Sequence, residues 1–321
     1  MAADARPSPP SAIDVRDLVR RFGAFVAVDH VSFDVARGSI FGLLGSNGAG
    51  KSTTFRMLCG LLRPSSGTAF IDGIDVGRDP EAVKRRIGYM SQRFSLYELL
   101  TVAQNIEFFG GLYGLDRARL AARRGFVLEM AGLQGREREL ARDLAGGWRQ
   151  RLALGCAILH QPAVLFLDEP TGGVDPLSRR QFWRLIDLLA DSGVTVLVTT
   201  HYLDEAERCH RVALMHAGRI AAIGTPGEVK RVFADRPIIE VRTRRAVDVM
   251  TALDAMPDVQ KTSLFGTAVH AVLRHKTTGA EDLARRLRAQ GLDIVSTAAV
   301  APSLEDVFLD VVEAAERGPA S

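Results

Sequence analysis

The sequence predicts an α/β fold built on a parallel sheet, followed by a small α+β unit. Three observations carry this expectation. An apolar run, Ser39 to Leu44, ends in a glycine-rich loop and is followed by a helix-like run from Thr53 to Leu62, the strand, loop and helix order of a phosphate cradle. Two further aliphatic runs, Ala163 to Leu167 and Val194 to Thr199, have the unbroken apolar character of strands buried on both faces. Beyond Arg236-Pro237 the pattern changes to β-α-β-β-α-β, the order of a ferredoxin-like unit.

Composition bounds the function classes. A chain of 321 residues with 47% hydrophobic and 25% charged residues is that of a globular protein, and its length suggests about two domains. No apolar run approaches the roughly 18 to 20 residues that cross a bilayer. The stretch holding Pro7, Pro9 and Pro10 lacks a charged-then-apolar segment and reads as a disordered leader over residues 1–11. A cytoplasmic location is expected. Cys59, Cys156 and Cys209 are widely spaced and odd in number, which gives neither a disulfide framework nor a zinc pattern. A net charge of +3 does not argue for nucleic acid, and the pairs Arg85-Arg86, Arg123-Arg124, Arg179-Arg180 and Arg285-Arg286 read as solvated helix faces.

Taken in order, the chain opens with short strands, Ile13 to Val15, Val26 to Val28 and the alternating Val31, Phe33 and Val35. Phe22 falls in a turn ahead of the loop, where it either stacks on a base or fills the core. The cradle itself is Gly45, Ser46, Asn47, Gly48, Ala49, Gly50, Lys51 and Ser52. Its small residues let backbone N–H groups wrap a polyphosphate, Lys51 reaches the terminal phosphates, and the Ser52 hydroxyl is a magnesium ligand. A short strand from Ile87 ends at Gln92, an amide suited to a magnesium-bound water or to sensing a phosphate, or simply a polar strand end. Apolar residues at helical spacing, Val102, Ile106, Phe109 and Leu112, then mark an inserted helical subdomain over about 93–160. It closes on Asp143 to Arg151, where Gly146 and Gly147 precede a helix and offer a second anion-accepting N-terminus or only a turn.

Asp168 and Glu169 follow the run Ala163 to Leu167, at the strand end where open α/β sheets bind ligands. Asp168 is suited to the magnesium shell and Glu169 to orienting or deprotonating an attacking water. The next buried strand ends in Thr200-His201, which places His201 at the same sheet edge if the strands are neighbours. Gly227 to Phe233 reads as a helix closing the first domain, 12–235. The accessory domain, 236–316, holds a helix opened by a capping box at Thr278 to Glu281 and a last helix from Ser303 whose residues Leu304, Val307, Phe308, Val311 and Val312 form one apolar stripe. That stripe needs its own domain or a second subunit to cover it. Residues 317–321 are a tail.

The ordered set of motifs resembles the ATP-binding subunit of an ABC transporter, from Ile13 to Phe233. The resemblance implies a P-loop ABC ATPase with an antiparallel β subdomain and an inserted helical subdomain, using ATP and Mg2+. It makes Gly45 to Ser52 the Walker A loop, continued by Thr53, and Gln92 the Q-loop. Leu144 to Gln150 becomes the signature motif, Asp168 the Walker B aspartate, Glu169 the catalytic glutamate, Asp175 the D-loop and His201 the switch histidine. Phe22 would stack on adenine. Catalysis would fall to Glu169, His201, Lys51 and Gln92, and the metal to Ser52, Gln92 and Asp168. Pro302 to Leu309 is similar to the tail motif of ABC-2 type exporter subunits, and the wording around Met90 to Tyr97 and Thr200 to Glu207 to the multidrug branch. The implied partners are a second copy, whose Ala145, Gly146 and Gly147 would complete the ATP site, and separate ABC-2 type permease subunits docked near Phe94 to Leu100. The implied place is the cytoplasmic face of the inner membrane. A departure stands in the signature, Ala145 where the family has Ser, and Trp148 replaces a polar or methionine residue. Other classes that fit a phosphate loop are a soluble ABC ATPase acting on nucleic acid or ribosomes, and a regulatory nucleotide-binding module. The single cassette without sustained heptads argues against nucleic acid, and intact Lys51, Asp168, Glu169 and His201 against the regulatory module.

Overall fold

The computed structural model describes residues 11–92, 96–275 and 278–316. Residues 1–10 of the leader expected over 1–11, Phe94 and Ser95 of the expected docking segment, and the tail 317–321 lie outside the described residues, while Ser11 opens the first strand instead of closing the leader. The chain divides at Thr225/Pro226 into two compact units.

In the first unit, β1 (Ser11–Phe22) and β2 (Phe25–Ala36) pair antiparallel along their length. The short strands and intervening turns expected here are these two long strands. Their bends come from register shifts and from left-handed residues, Asp17 at φ 47° and His30 at φ 52°, which absorb the extra residues without ending the ladder. The other edge of β1 takes β4 (Ser66–Ile71), which pairs with β5 (Ile74–Asp75).

The central sheet has six strands in the order β10-β9-β3-β8-β7-β6. These are β3 (Ile40–Gly45), β6 (Ile87–Met90), β7 (Val164–Asp168), β8 (Thr195–Thr200), β9 (Arg211–His216) and β10 (Arg219–Gly224). All neighbours are parallel except the β9/β10 hairpin. Every residue of β3, β7 and β8 is buried, because helices cover both faces of a parallel sheet. One core formed by Phe41, Leu43, Phe55, Phe166 and Leu197 joins the central sheet to Ile13, Val31 and Phe33 of the antiparallel one.

Helix α1 (Lys51–Leu58) follows β3, and α2 (Pro80–Arg86) is capped by the Asp79 carboxylate accepting from Ala82 N–H. The helical insertion comprises α3 (Val102–Leu112), α4 (Arg117–Ala131) and α5 (Gly146–Ala157). Helix α3 opens in a reciprocal capping box between Thr101 and Gln104, and α4 closes at the left-handed Gly132. Helix α6 (Pro176–Asp191) returns to the sheet and the short α7 (Leu203–Ala206) follows β8.

The second unit opens with α8 (Pro226–Lys230) and a tight turn through Phe233, segments expected to close the first domain. They belong here because α8 packs on the last helix, α11 (Leu304–Glu316), and Arg236 makes a bidentate pair with its Asp310 at 3.0 and 2.8 Å. Strands β11 (Ile238–Thr243), β12 (Val259–Phe265), β13 (Ala268–Leu273) and β14 (Ile294–Val300) form an antiparallel sheet in the order β12-β13-β11-β14. Helices α9 (Ala246–Asp254) and α10 (Ala280–Ala289) bury Val249, Leu253, Leu283 and Leu287 against Val241, Val269 and Leu273 of that sheet. Element order and strand order together are ferredoxin-like. Helix α10 lacks the expected cap, since the Thr278 hydroxyl donates to Asp258 at 3.2 Å and the helix starts after Gly279. Ser303 does cap α11: its hydroxyl accepts from Asp306 N–H at 3.1 Å and the Asp306 carboxylate accepts from Ser303 N–H at 2.8 Å. The expected apolar stripe is only part of that helix's packing. Leu304 and Val307 are buried, but so are Asp306 and Asp310.

Candidate functional site

The loop after β3 is shaped by glycines that admit no side chain. A β-carbon on Gly45, at φ 151°, would collide with the Met215 carbonyl oxygen of β9, and one on Gly50, at φ 102°, would lie 2.6 Å from the Ala27 carbonyl oxygen of β2. Two sheets therefore close on the loop from either side. Ala49 is buried, Asn47 and Ser46 are exposed, and Gly48 is left-handed at φ 83°. Lys51 opens α1 and is buried; its ammonium donates to the carbonyl oxygens of Gly45 at 2.8 Å and Ser46 at 2.9 Å. Burial pushes the Lys51 pKa down, against the pull of Glu169 and Asp168. The Ser52 hydroxyl stands exposed at the first turn, and Thr53 beside it is half-buried. A crowded backbone around a helix N-terminus with a buried cation fits a polyphosphate, and Ser52 with Asp168 supplies the oxygen donors a hard divalent cation takes.

Strand β7 carries two carboxylates to the same end of the sheet, and the backbone turns them into different environments. Asp168 is buried, accepts from the Thr199 hydroxyl of β8 at 2.6 Å, and has its pKa raised by desolvation and by the charge of Glu169. Glu169 adopts φ 48°, a left-handed conformation that costs a non-glycine residue about 1 kcal/mol or more. The strain is held by its N–H, which donates to the Thr199 hydroxyl at 2.9 Å. The Glu169 carboxylate meets two partners. Gln92 Nε2 donates to Glu169 Oε2 at 2.8 Å, and His201 Nδ1 lies 3.3 Å from the same oxygen. Gln92 and His201 belong to the loops after β6 and β8, and β7 lies between them, so strand order alone brings Gln92, Asp168, Glu169 and His201 together.

Phe22 is exposed at the end of β1 with the Arg20 guanidinium 4.5 Å above its ring, and is not a core residue. Ala145 is the N-cap of α5 and offers no side-chain acceptor, so the N–H groups of Gly146 and Gly147 stay at the helix mouth. A β-carbon on Gly147 would collide with the Ser178 hydroxyl, which sets how closely α5 and α6 approach. Between them lies a cleft of about 260 Å³ lined by Ala145, Gly146, Gly147, Trp148 and Asp175 among others. Asp175 caps α6 by accepting from the N–H groups of Leu177 and Ser178, both at 3.0 Å; bonds from Ser178 and Leu177 hold its pKa down. Trp148 carries the Arg136 guanidinium 3.9 Å above its ring. Ala145 to Gly147 and Asp175 thus face a cleft of their own, apart from the cluster on Glu169.

Several residues of the site carried no signal in the sequence. Thr199 holds both carboxylates of β7, and Thr171, Thr200, Glu205 and Arg179 form a buried network behind them. The pair Thr199-Thr200 at the end of an aliphatic strand is the one feature that could have drawn attention to it. Arg179, read as part of a solvated face, is instead only 20% exposed and pairs with the buried Glu205 at 3.3 Å.

A phosphate loop, an acidic strand end and a helical insertion on a parallel sheet backed by an antiparallel one define an ATP-binding cassette. The chain matches the ABC transporter family over residues 28–172 and the C-terminal domain of ATP-binding proteins of the DrrA1-3 kind over 224–312, and it belongs to the ATP-binding subunits of ABC transporters. It is 37% identical to the daunorubicin/doxorubicin resistance ATP-binding protein DrrA of Streptomyces peucetius, over 94% of this chain and 92% of that one. It is 50% identical to the probable multidrug ABC transporter ATP-binding protein YbhF of Escherichia coli over 70% of this chain, and spans only 39% of that protein's length. A solved ATP binding subunit of an ABC transporter is 32% identical with a TM-score of 0.64, over 70% of this chain and 94% of the other. The dimeric post-hydrolysis cassette MJ0796, bound to ADP and phosphate, is 25% identical with a TM-score of 0.60, over 66% of this chain and 98% of the other.

Proposed function

We propose that this chain hydrolyses ATP to power export of a drug, lipid or other small molecule through separate membrane subunits of the ABC-2 type, at the cytoplasmic face of the inner membrane. The observation that supports hydrolysis most is the convergence of Gln92 and His201 on one oxygen of Glu169, beside Asp168 and Lys51. Glu169 is held where it can take the proton of a water attacking the terminal phosphate. His201 contacts that phosphate and Lys51 neutralises it, while Gln92 releases or engages Glu169 as the phosphate comes and goes. Ser52 and Asp168, with Gln92 through a water, would hold magnesium, which would supply charge neutralisation to the phosphates when bound. Phe22 stacks on the base through the ring face that Arg20 leaves open.

Two copies form the working unit in this reading, the Ala145 to Gly147 mouth of each meeting ATP held on the Gly45 to Thr53 segment of the other, with Asp175 at the seam. The dimeric cassette among the similar structures supports such pairing. Among the described residues no helix is long and apolar enough to cross a membrane, and the export reading therefore assigns the path to other chains. Their dock is the exposed aromatic edge of the helical insertion, where Tyr97 and Phe108 stack edge-on at 4.5 Å beside exposed Leu99. The relative named for resistance to daunorubicin and doxorubicin supports a drug as cargo.

Steady-state ATP hydrolysis by the purified protein, alone and reconstituted with the permease subunits, tests the reading. Glu169→Gln is expected to lower turnover by about a hundredfold or more while ATP binding persists. Turnover unchanged by that substitution would remove Glu169 from the chemistry.

A further inference from the structure

We propose that Arg179, Tyr202 and Glu205 form a clamp that positions the His201 ring against Glu169 and ties it mechanically to the Asp175 turn. This rests on the hydrolytic reading above. Its starting point is a buried charge. Glu205 is 2% exposed on the short α7, and a carboxylate so placed needs partners for every oxygen. One oxygen accepts from the Thr171 hydroxyl at 2.6 Å and faces Arg179 Nε at 3.3 Å; the other accepts from the Thr200 hydroxyl at 2.9 Å. Thr171 follows the Asp168-Glu169 corner and Thr200 directly precedes His201. One carboxylate therefore joins the chain leaving β7 to the chain leaving β8.

The side-chain stack completes the connection. His201 is 43% exposed and its ring is not fixed by surrounding core. It lies against Tyr202, with ring centroids 4.2 Å apart, and the Arg179 guanidinium covers the Tyr202 ring at 4.0 Å. The Thr200 hydroxyl that donates to Glu205 also accepts from Tyr202 N–H at 2.9 Å, which sets the backbone on both sides of His201. Arg179 sits in the first turn of α6, its N–H donating to the Asp175 carbonyl oxygen at 3.0 Å. Movement of the Asp175 turn, which borders the cleft of Ala145 to Gly147, is thereby transmitted through Arg179 and Tyr202 to the ring facing Glu169. A planar guanidinium stacks on an aromatic face where an ammonium does not, so the device requires arginine at 179 and an aromatic ring at 202.

The test is a cycle of variants in the full chain, reading kcat and KM for ATP. Tyr202→Leu and Arg179→Lys are each expected to lower kcat about tenfold, with KM changed by less than about twofold, and Tyr202→Phe to restore the wild-type rate. In a His201→Ala background, measured in single turnover, Tyr202→Leu is expected to cost nothing further, because it acts through the missing ring. A wild-type kcat for Tyr202→Leu overturns the clamp, as does the same fold-loss with and without His201. Loss of ATP binding in step with kcat in both Tyr202→Leu and Arg179→Lys also overturns it. Glu169→Gln in the same assay separates the two readings: if it is inactive while Tyr202→Leu is unaffected, only the clamp falls, whereas a wild-type rate for Glu169→Gln removes the site reading on which the clamp rests.

Discussion

Ala145 stands at the helix N-cap, where a serine hydroxyl both accepts from first-turn N–H groups and can donate outward. Its replacement leaves α5 uncapped and takes one donor from the surface proposed to meet ATP on a second copy. Ala145→Ser is therefore expected to stabilise the protein by about 0.5 to 2 kcal/mol through the cap, and to lower by about tenfold or more the ATP concentration at which the protein pairs, since a hydrogen bond to a charged group is worth about 1.5 to 3 kcal/mol. Thermal unfolding and sedimentation in a Glu169→Gln background check the two effects separately. Gly147 is constrained for another reason, since its missing β-carbon is the space that Ser178 fills. Gly147→Ala is expected to cost about 1 to 3 kcal/mol as overpacking, and a second change, Ser178→Gly, to recover most of it while keeping the N–H that Asp175 accepts, as denaturant midpoints will show.

At the scale of elements, α11 is attached to its sheet by carboxylates as much as by apolar contact. Asp306 accepts from or pairs with His270 Nδ1 at 2.9 Å, and Asp310 takes Arg236 and, at 3.1 Å, Lys261. Burial pushes both carboxyl groups up, yet the bonds from His270 and Ser303 to Asp306, and from Arg236 and Lys261 to Asp310, outweigh it and hold both pKa values below the ordinary range. A depressed folded pKa gives stability that is complete above the unfolded value of about 4 and is lost as pH falls through the folded value. Protection of the amides in Leu304–Glu316, relative to their intrinsic exchange rate, is thus expected to be high at neutral pH and to fall below about pH 4, ahead of protection in β3 and β8. Asp306→Asn is expected to weaken the same helix by about 2 kcal/mol at neutral pH, with little change in acid.

On the scale of the whole molecule, the first unit has its own core from Ala12 to Ile220. A chain ending at Thr225 is expected to unfold cooperatively and to bind ATP within about twofold of the full protein, by calorimetry. A chain ending at Asp235 is expected to be less stable and less soluble, because Val229 and Phe233 lose the unit that buries them. We propose that the second unit steadies the pair of copies during opening. Dimerisation of the shorter chain at the same ATP concentration as the full chain would remove that role.

How much of this was legible follows from where each interaction lies along the chain. Local order fixed the phosphate loop, the Asp168-Glu169 strand end and the ferredoxin-like order beyond Arg236, because each depends on consecutive residues and on burial of both strand faces. The residues alone left Gln92 either a phosphate-sensing amide or a polar strand end, His201 dependent on which strands are neighbours, and Phe22 either a base platform or core; only the resemblance chose among these. The tertiary structure decided what depends on strand order: β6, β7 and β8 are neighbours, so residues more than a hundred positions apart meet at Glu169. It also moved Arg179 from a solvated face to a buried pair, and Pro226 to Phe233 from the first unit to the second. Charge and packing of that kind are set by what lies across the gap, and no local spacing encodes the partner. The sequence by itself determined a loop that grips a polyphosphate, with its resemblance naming ATP; the fold decided which side chains converge beside that loop and how they are held there.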